Sequence, residues 1–238
     1  MFARGFNRRK AKAPNVSPGL PGEFRAVIFD LDGTLYDSKN IAPRLILARP
    51  SDALLMGAER RVRKVFAGRV FDSAESYYQV FFLEFSKLAR CSASFARQWY
   101  FETYMPLMIR VLKEHYRPRP GAAELFAALD SGENSRGKKI PFAVYSDYPM
   151  TGERLKALGL EADSRNIYGP ENLAAQKPAA APFLRIAGGL GCAPADTLVA
   201  GDRDDADGAG ARAAGMLYIN INADSWDWLL SSMGIRLS

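Results

Sequence analysis

Asp30 and Asp32 stand two residues apart where the apolar run Ala26-Val27-Ile28-Phe29 ends, and Gly33 and Thr34 follow them. Alternation along a strand points both carboxylates to the same side. Carboxylates that close repel each other unless a cation or a proton intervenes. One of such a pair can attack as a nucleophile while the other moves a proton. Three further polar segments follow apolar runs or loops. In Tyr145-Ser146-Asp147 a hydroxyl and free backbone N–H groups could hold an anion. In Gln176-Lys177-Pro178 the proline keeps the lysine out of a helix and on a loop. The stretch Gly201-Asp202-Arg203-Asp204-Asp205-Ala206-Asp207-Gly208 carries four acids in six positions. It is not a calcium loop, because aligning Gly208 with the required sixth position puts Arg203 at the first ligand and leaves no Glu at the twelfth. Hard oxygen ligands beside a second acidic pair suit Mg²⁺ instead. Taken singly, the serine and lysine segments also read as ordinary loop chemistry.

Composition leaves these groups few competitors. His115 is the one histidine and Cys91 and Cys192 the two cysteines, so a histidine-based metal site, a Ser-His relay, a Cys-rich zinc site and a disulfide framework are all set aside. The scarcity of cysteine suggests a reducing compartment, read as cytoplasmic. No run of about 18 uncharged apolar residues predicts a membrane span. Of the net charge of +6, residues 1–22 supply five through Arg4, Arg8, Arg9, Lys10 and Lys12. The rest is nearly neutral, which argues against a basic nucleic-acid groove. Pro14, Pro18, Gly19, Pro21 and Gly22 make this basic arm a flexible or extended, solvated segment.

The elements that must position the acids alternate. Apolar runs at 26–29, 142–145, 197–200 and 216–219, with a weaker one at 166–168, read as buried parallel strands. Helical patterns at 121–129, 152–158 (Thr151 as its N-cap), 180–190 and 206–214 separate them. Such alternation predicts an α/β, Rossmann-like doubly wound parallel sheet, whose ligands bind beyond the carboxyl ends of the strands. Residues 38–117 break the alternation and are helical throughout. Tyr77, Tyr78, Phe81, Phe82 and Phe85 recur on one face, with Asp72 and Glu75 spaced as a capping box. Leu55, Ala58, Val62 and Phe66 form a second face, and Phe95, Trp99, Met108, Leu112 and His115 a third, with Pro106 expected to kink or split that helix. Arg60, Arg61, Arg63 and Lys64 read as a solvated face, and His115 as a helix-end cation. The expected organisation is an arm at 1–22, a core at 23–37 and 118–238, and an inserted helical bundle at 38–117.

In that order, Asp30-Leu31-Asp32-Gly33-Thr34, Ser146, Lys177-Pro178 and Gly201-Asp202 with Asp207 resemble the four motifs of the haloacid dehalogenase superfamily. The resemblance spans residues 24–222, and the inserted helices stand where family members carry a helical cap. The dehalogenating branch lacks an acid at the position of Asp32, so the resemblance points to the phosphatase branch. It implies that Asp30 attacks phosphorus and forms an aspartyl-phosphate. It makes Asp32 the acid and base, and gives Mg²⁺ the ligands Asp30, the Asp32 carbonyl and Asp202, with Asp207 or Asp204 holding its waters. Ser146, Asp147 and Lys177 would hold the phosphate of a small phosphorylated substrate. Tyr36 is a weaker candidate to face the site. Two other readings stand beside this one: a phosphosugar mutase on the same scaffold, and a silent interaction protein with a basic arm. No specific nucleic acid is expected, and monomer and dimer are both open.

Overall fold

The computed structural model describes residues 24–236, so the basic arm and its predicted role lie outside the described residues. Five strands form one parallel sheet: β1 Ala26–Asp30, β2 Phe142–Tyr145, β3 Ile167–Tyr168, β4 Thr197–Gly201 and β5 Leu217–Asn220, in the order β3-β2-β1-β4-β5. Strands β1, β2 and β4 are buried along their whole length, as continuous apolar runs require. Val27 and Phe29 of β1 face one layer, with Phe126, Phe142 and Leu229, while Ile28 faces the other, with Phe183, Ile186 and Val199. The α/β expectation is met, and all five strands fall where the apolar runs predict them.

Between β1 and β2 run α1 Ile41–Ala48, α2 Ala53–Phe66, α3 Ala74–Ala89, α4 Ala93–Gln98, α5 Met105–His115 and α6 Ala122–Ser131. Then follow α7 Thr151–Ala157, α8 Pro170–Leu173, α9 Ala180–Gly189, α10 Ala209–Ala213 and α11 Ala223–Ser232. Tyr77, Phe81, Phe82 and Phe85 of α3 are buried, and the Phe66 ring meets Tyr77 and Phe81 edge-on at 5.5 and 5.4 Å. The helix continues from α4 through a π-helical turn, Trp99–Tyr104, into α5, and Pro106, which has no N–H to give the ladder, stands where the π pattern passes back to α. No helix among the described residues is long and apolar enough to cross a membrane.

Local details differ from the sequence expectations. The cap of α3 is Ser73 with Ser76, one residue beyond Asp72, because the serine hydroxyls reach the free N–H groups at the helix start. Thr151 is the first helical residue of α7 instead of its cap, and its hydroxyl donates to the carbonyls of Tyr148 and Tyr168. Phe95 and His115 are exposed, so the third face is narrower than its spacing suggested. Residues 204–208 form a π-helical turn ahead of α10.

Candidate active site

Parallel register brings the polar segments together. Asp30 is level with Tyr145 of β2, and Phe29 with Ala200 of β4. The chain therefore leaves β2 into Ser146 and β4 into Asp202 on either side of Asp30. Close approach dictates the small residues. Gly33 has φ +93°, and a Cβ there would collide with the carboxylate of Asp202. A Cβ on Gly201 would collide with Asp207.

Lys177 sits at the centre. Its Nζ lies 2.6 Å from Asp30 Oδ1 and 2.7 Å from Asp207 Oδ1, and it donates to the Tyr145 carbonyl at 3.1 Å. The other oxygen of Asp30 accepts from the Thr34 hydroxyl at 2.9 Å. One oxygen each of Asp30, Asp202 and Asp207 lie within 4.8 Å of one another. Burial pushes the Asp30 carboxyl well above the usual range; Lys177 opposes this, and Asp207, Asp32 and Asp202 reinforce it. Burial, then Asp207, pushes Asp202 up to about 6. Burial disfavours charge on Lys177, but Asp207 and Asp30 beside it outweigh that and hold it protonated. The cluster therefore carries more negative charge than its own lysine neutralises.

Asp32 faces a different set of partners. Burial would raise its carboxyl, but Arg154 overrides that and holds it below the usual range, helped by Tyr36 and Ser146. Arg154 ion-pairs with Asp32 Oδ1, which also accepts from the Tyr36 hydroxyl at 2.6 Å; Oδ2 accepts from the Ser146 hydroxyl at 3.0 Å. Arg154 donates to Ser146 Oγ at 2.9 Å.

Backbone pairing supplies the remaining placement. The strip after α2 runs against the lysine segment: Phe71 N–H donates to Ala174 O, Gln176 N–H to Arg69 O and Gly68 N–H to Lys177 O, at 2.9–3.1 Å. Arg119 donates to the carbonyls of Gly33 and Thr34 at 2.9 and 2.7 Å, fixing the turn after the aspartates. From α2, Arg63 donates to the Asp147 carbonyl at 2.6 Å, lies 3.6 Å from the Tyr148 ring centroid and pairs with the fully buried Glu59. Arg63 is thus no part of a solvated face; its side chain is 11% exposed.

Of the predicted residues, Asp30, Lys177, Asp202 and Asp207 converge, and Asp32 and Ser146 adjoin them. Two stand differently. The Asp147 carboxylate accepts the Lys177 backbone N–H at 3.0 Å and so ties two loops together. Asp204 is outside the cluster: its side chain is 68% exposed and pairs with Arg212 at 2.9 Å, because the π-helical turn directs it away. Asp207 stands among the clustered acids rather than behind them. The sequence reading missed Arg154, Arg119 and the Glu59–Arg63 pair. No local signal marks them, since helix and loop arginines are usually solvated.

Residues 24–215 match the family model of the haloacid dehalogenase-like hydrolases. The phosphoglycolate phosphatase of Neisseria meningitidis serogroup A is 30% identical over 213 residues, covering 87% of this chain and 84% of that protein. Two solved structures share the fold. A family IA, variant 3 hydrolase from Entamoeba histolytica has a TM-score of 0.56 at 22% identity, covering 90% of this chain and 91% of that one. A magnesium-bound HAD-hydrolase from Bacillus subtilis has a TM-score of 0.59 at 17% identity, covering 88% and 99%.

Proposed function

Because the chain belongs to the haloacid dehalogenase-like hydrolases, we propose that it is a phosphatase that hydrolyses a small phosphomonoester through an aspartyl-phosphate on Asp30. The observation that carries this reading is the buried cluster of Asp30, Lys177, Asp202 and Asp207 at the carboxyl edge of the sheet, with Asp32 beside it.

A divalent cation fits this cluster. Its donors are all carboxylate oxygens, its negative charge exceeds what Lys177 neutralises, and Asp202 Oδ1 is buried without a hydrogen-bond partner. Asp30, Asp202 and Asp207 would hold Mg²⁺, which when bound supplies positive charge to the transferring phosphoryl group. Thr34 and Lys177 each hold one oxygen of Asp30 and so orient the nucleophile. The proton of Ser146 and the ammonium of Lys177 would stabilise charge on the phosphoryl oxygens. Asp32 would give a proton to the leaving oxygen as Asp30 attacks, and the carboxylate that remains, the form that Arg154, Tyr36 and Ser146 favour, would take a proton from the water that hydrolyses the intermediate. Residues 38–117 would act as the cap that shields this chemistry from bulk water.

The Neisseria relative makes 2-phosphoglycolate the first substrate to try. Release of inorganic phosphate across a panel of phosphomonoesters with Mg²⁺ tests the reading. Turnover abolished by EDTA and restored by Mg²⁺ is the expected result. Isomerisation of a sugar phosphate without phosphate release would favour a mutase, and no turnover of any phosphomonoester would overturn the proposal.

A further inference from the structure

Arg154 is a fully buried guanidinium among the reacting groups, and both of its terminal nitrogens are taken by protein side chains. It projects from α7 between Asp32 and Ser146, with one terminal nitrogen on each. Ser146 Oγ also accepts the Tyr148 N–H at 3.1 Å. The two donors, Arg154 and Tyr148, fill the lone pairs of this hydroxyl, so its single proton must point away from both. In this structure the proton is directed to Asp32 Oδ2. An anionic phosphoryl oxygen placed beside Ser146 would receive the same proton.

We propose that Arg154 is a positioning residue: it fixes the direction in which Ser146 donates, and it holds Asp32 and Ser146 at a set separation as one unit. The proposal rests on the phosphatase reading and adds to it a residue outside the four motifs. Stability alone is a poor reason for such a group. A buried ion pair gains little over well-packed apolar residues of the same volume, whereas only a fork of donors can orient two acceptors together. Lysine in its place would keep the charge and lose the fork.

The test uses the full-length Mg²⁺-loaded protein and p-nitrophenyl phosphate, so that it does not depend on the physiological substrate. Arg154→Met and Arg154→Lys are compared with wild type as kcat per folded molecule, with the folded fraction read from melting curves. Misplacing a catalytic group by about 1 Å costs on the order of 100-fold, so both variants should lose ~10- to 100-fold, chiefly in kcat. In Arg154→Ala, added guanidinium should restore part of the rate, and NaCl at equal ionic strength should not. Wild-type kcat per folded molecule in Arg154→Lys, or rescue of Arg154→Ala by guanidinium and NaCl alike, would overturn the proposal. If Arg154→Ala does not fold, the Met and Lys variants carry the test. A wild type inactive on p-nitrophenyl phosphate and on every other phosphomonoester of the panel would overturn the phosphatase reading and this proposal with it; a wild type active on any of them, with unaffected variants on that substrate, would overturn this proposal alone.

Discussion

Two buried arginines reach the loop after β2, one from α7 in the sheet half of the molecule and one from α2 among the helices between β1 and β2. Arg154 on α7 binds side chains, Asp32 and Ser146. Arg63 on α2 binds the backbone carbonyl of Asp147, lies over the ring of Tyr148 and donates to the Tyr100 hydroxyl. Their counterions differ too. Asp32 has both oxygens engaged, but buried Glu59 leaves Oε2 without a partner. The Glu59 carboxyl is pushed up by burial, with Arg63 only partly opposing this, whereas Arg154 pulls Asp32 down. The contrast separates two uses of a buried charge: on the sheet side it orients reacting groups, and on the helical side it joins the insertion to a loop of the site.

The strongest way to break that division is at the nucleophile. Asp30→Asn should lower kcat by ~10⁴-fold or more, while the melting temperature holds, because a crowded negative charge has been removed and Lys177 keeps Asp207. Phosphate-release kinetics with calorimetry on the same sample would check it. A large fall in Tm would mean that the acidic cluster is a structural joint as well.

On the helical side the larger effect should be on stability. Arg63→Met leaves Glu59 as a buried charge without its partner and should cost about 3 kcal/mol, measured by chemical denaturation. The sign of its pH dependence follows from Glu59. A carboxyl whose folded pKa is raised binds protons more tightly folded than unfolded, so stability rises as pH falls through that folded value. The gap between Arg63→Met and wild type should therefore narrow from pH 8 to pH 5. Adding Glu59→Gln to that variant should recover much of the loss.

A smaller effect is expected at Asp52, at the start of α2. Its carboxyl accepts from Trp99 Nε1 at 2.8 Å and from Arg49 at 2.7 Å. Partial burial would raise it, but these donors outweigh that and hold it low. Asp52→Asn should cost about 1 kcal/mol at pH 7, discounted for the half-exposed Arg49. Because the folded pKa is lowered, that difference should be present above the unfolded value near 4 and vanish as pH falls through the folded value. The smallest effect should come from Asp204→Asn: kcat within about 2-fold of wild type, since its exposed pair with Arg212 lies outside the cluster. A large loss of kcat there would return Asp204 to the site.

Much of this was legible from spacing. Asp30, Asp32, Lys177 and Asp202 could be singled out because each follows an apolar run or sits beside a proline, and parallel strands deliver all their carboxyl ends to one edge. Apolar periodicity likewise located the five strands and the helical insertion, since period and burial are local properties of the chain. Three-dimensional contact decided the rest. Arg154 and Arg63 look like any surface arginine in the sequence, and Asp204 looks as good a ligand as Asp207. What distinguishes them is which side of a π-helical turn faces the cluster, and which loops, 84 and 122 residues away, close over a guanidinium. Partners that distant leave no periodic trace. They exist only once the sheet register and the pairing of residues 68–71 with 174–177 have brought the loops together, so the sequence determined which groups could react and the tertiary structure determined what holds them in place.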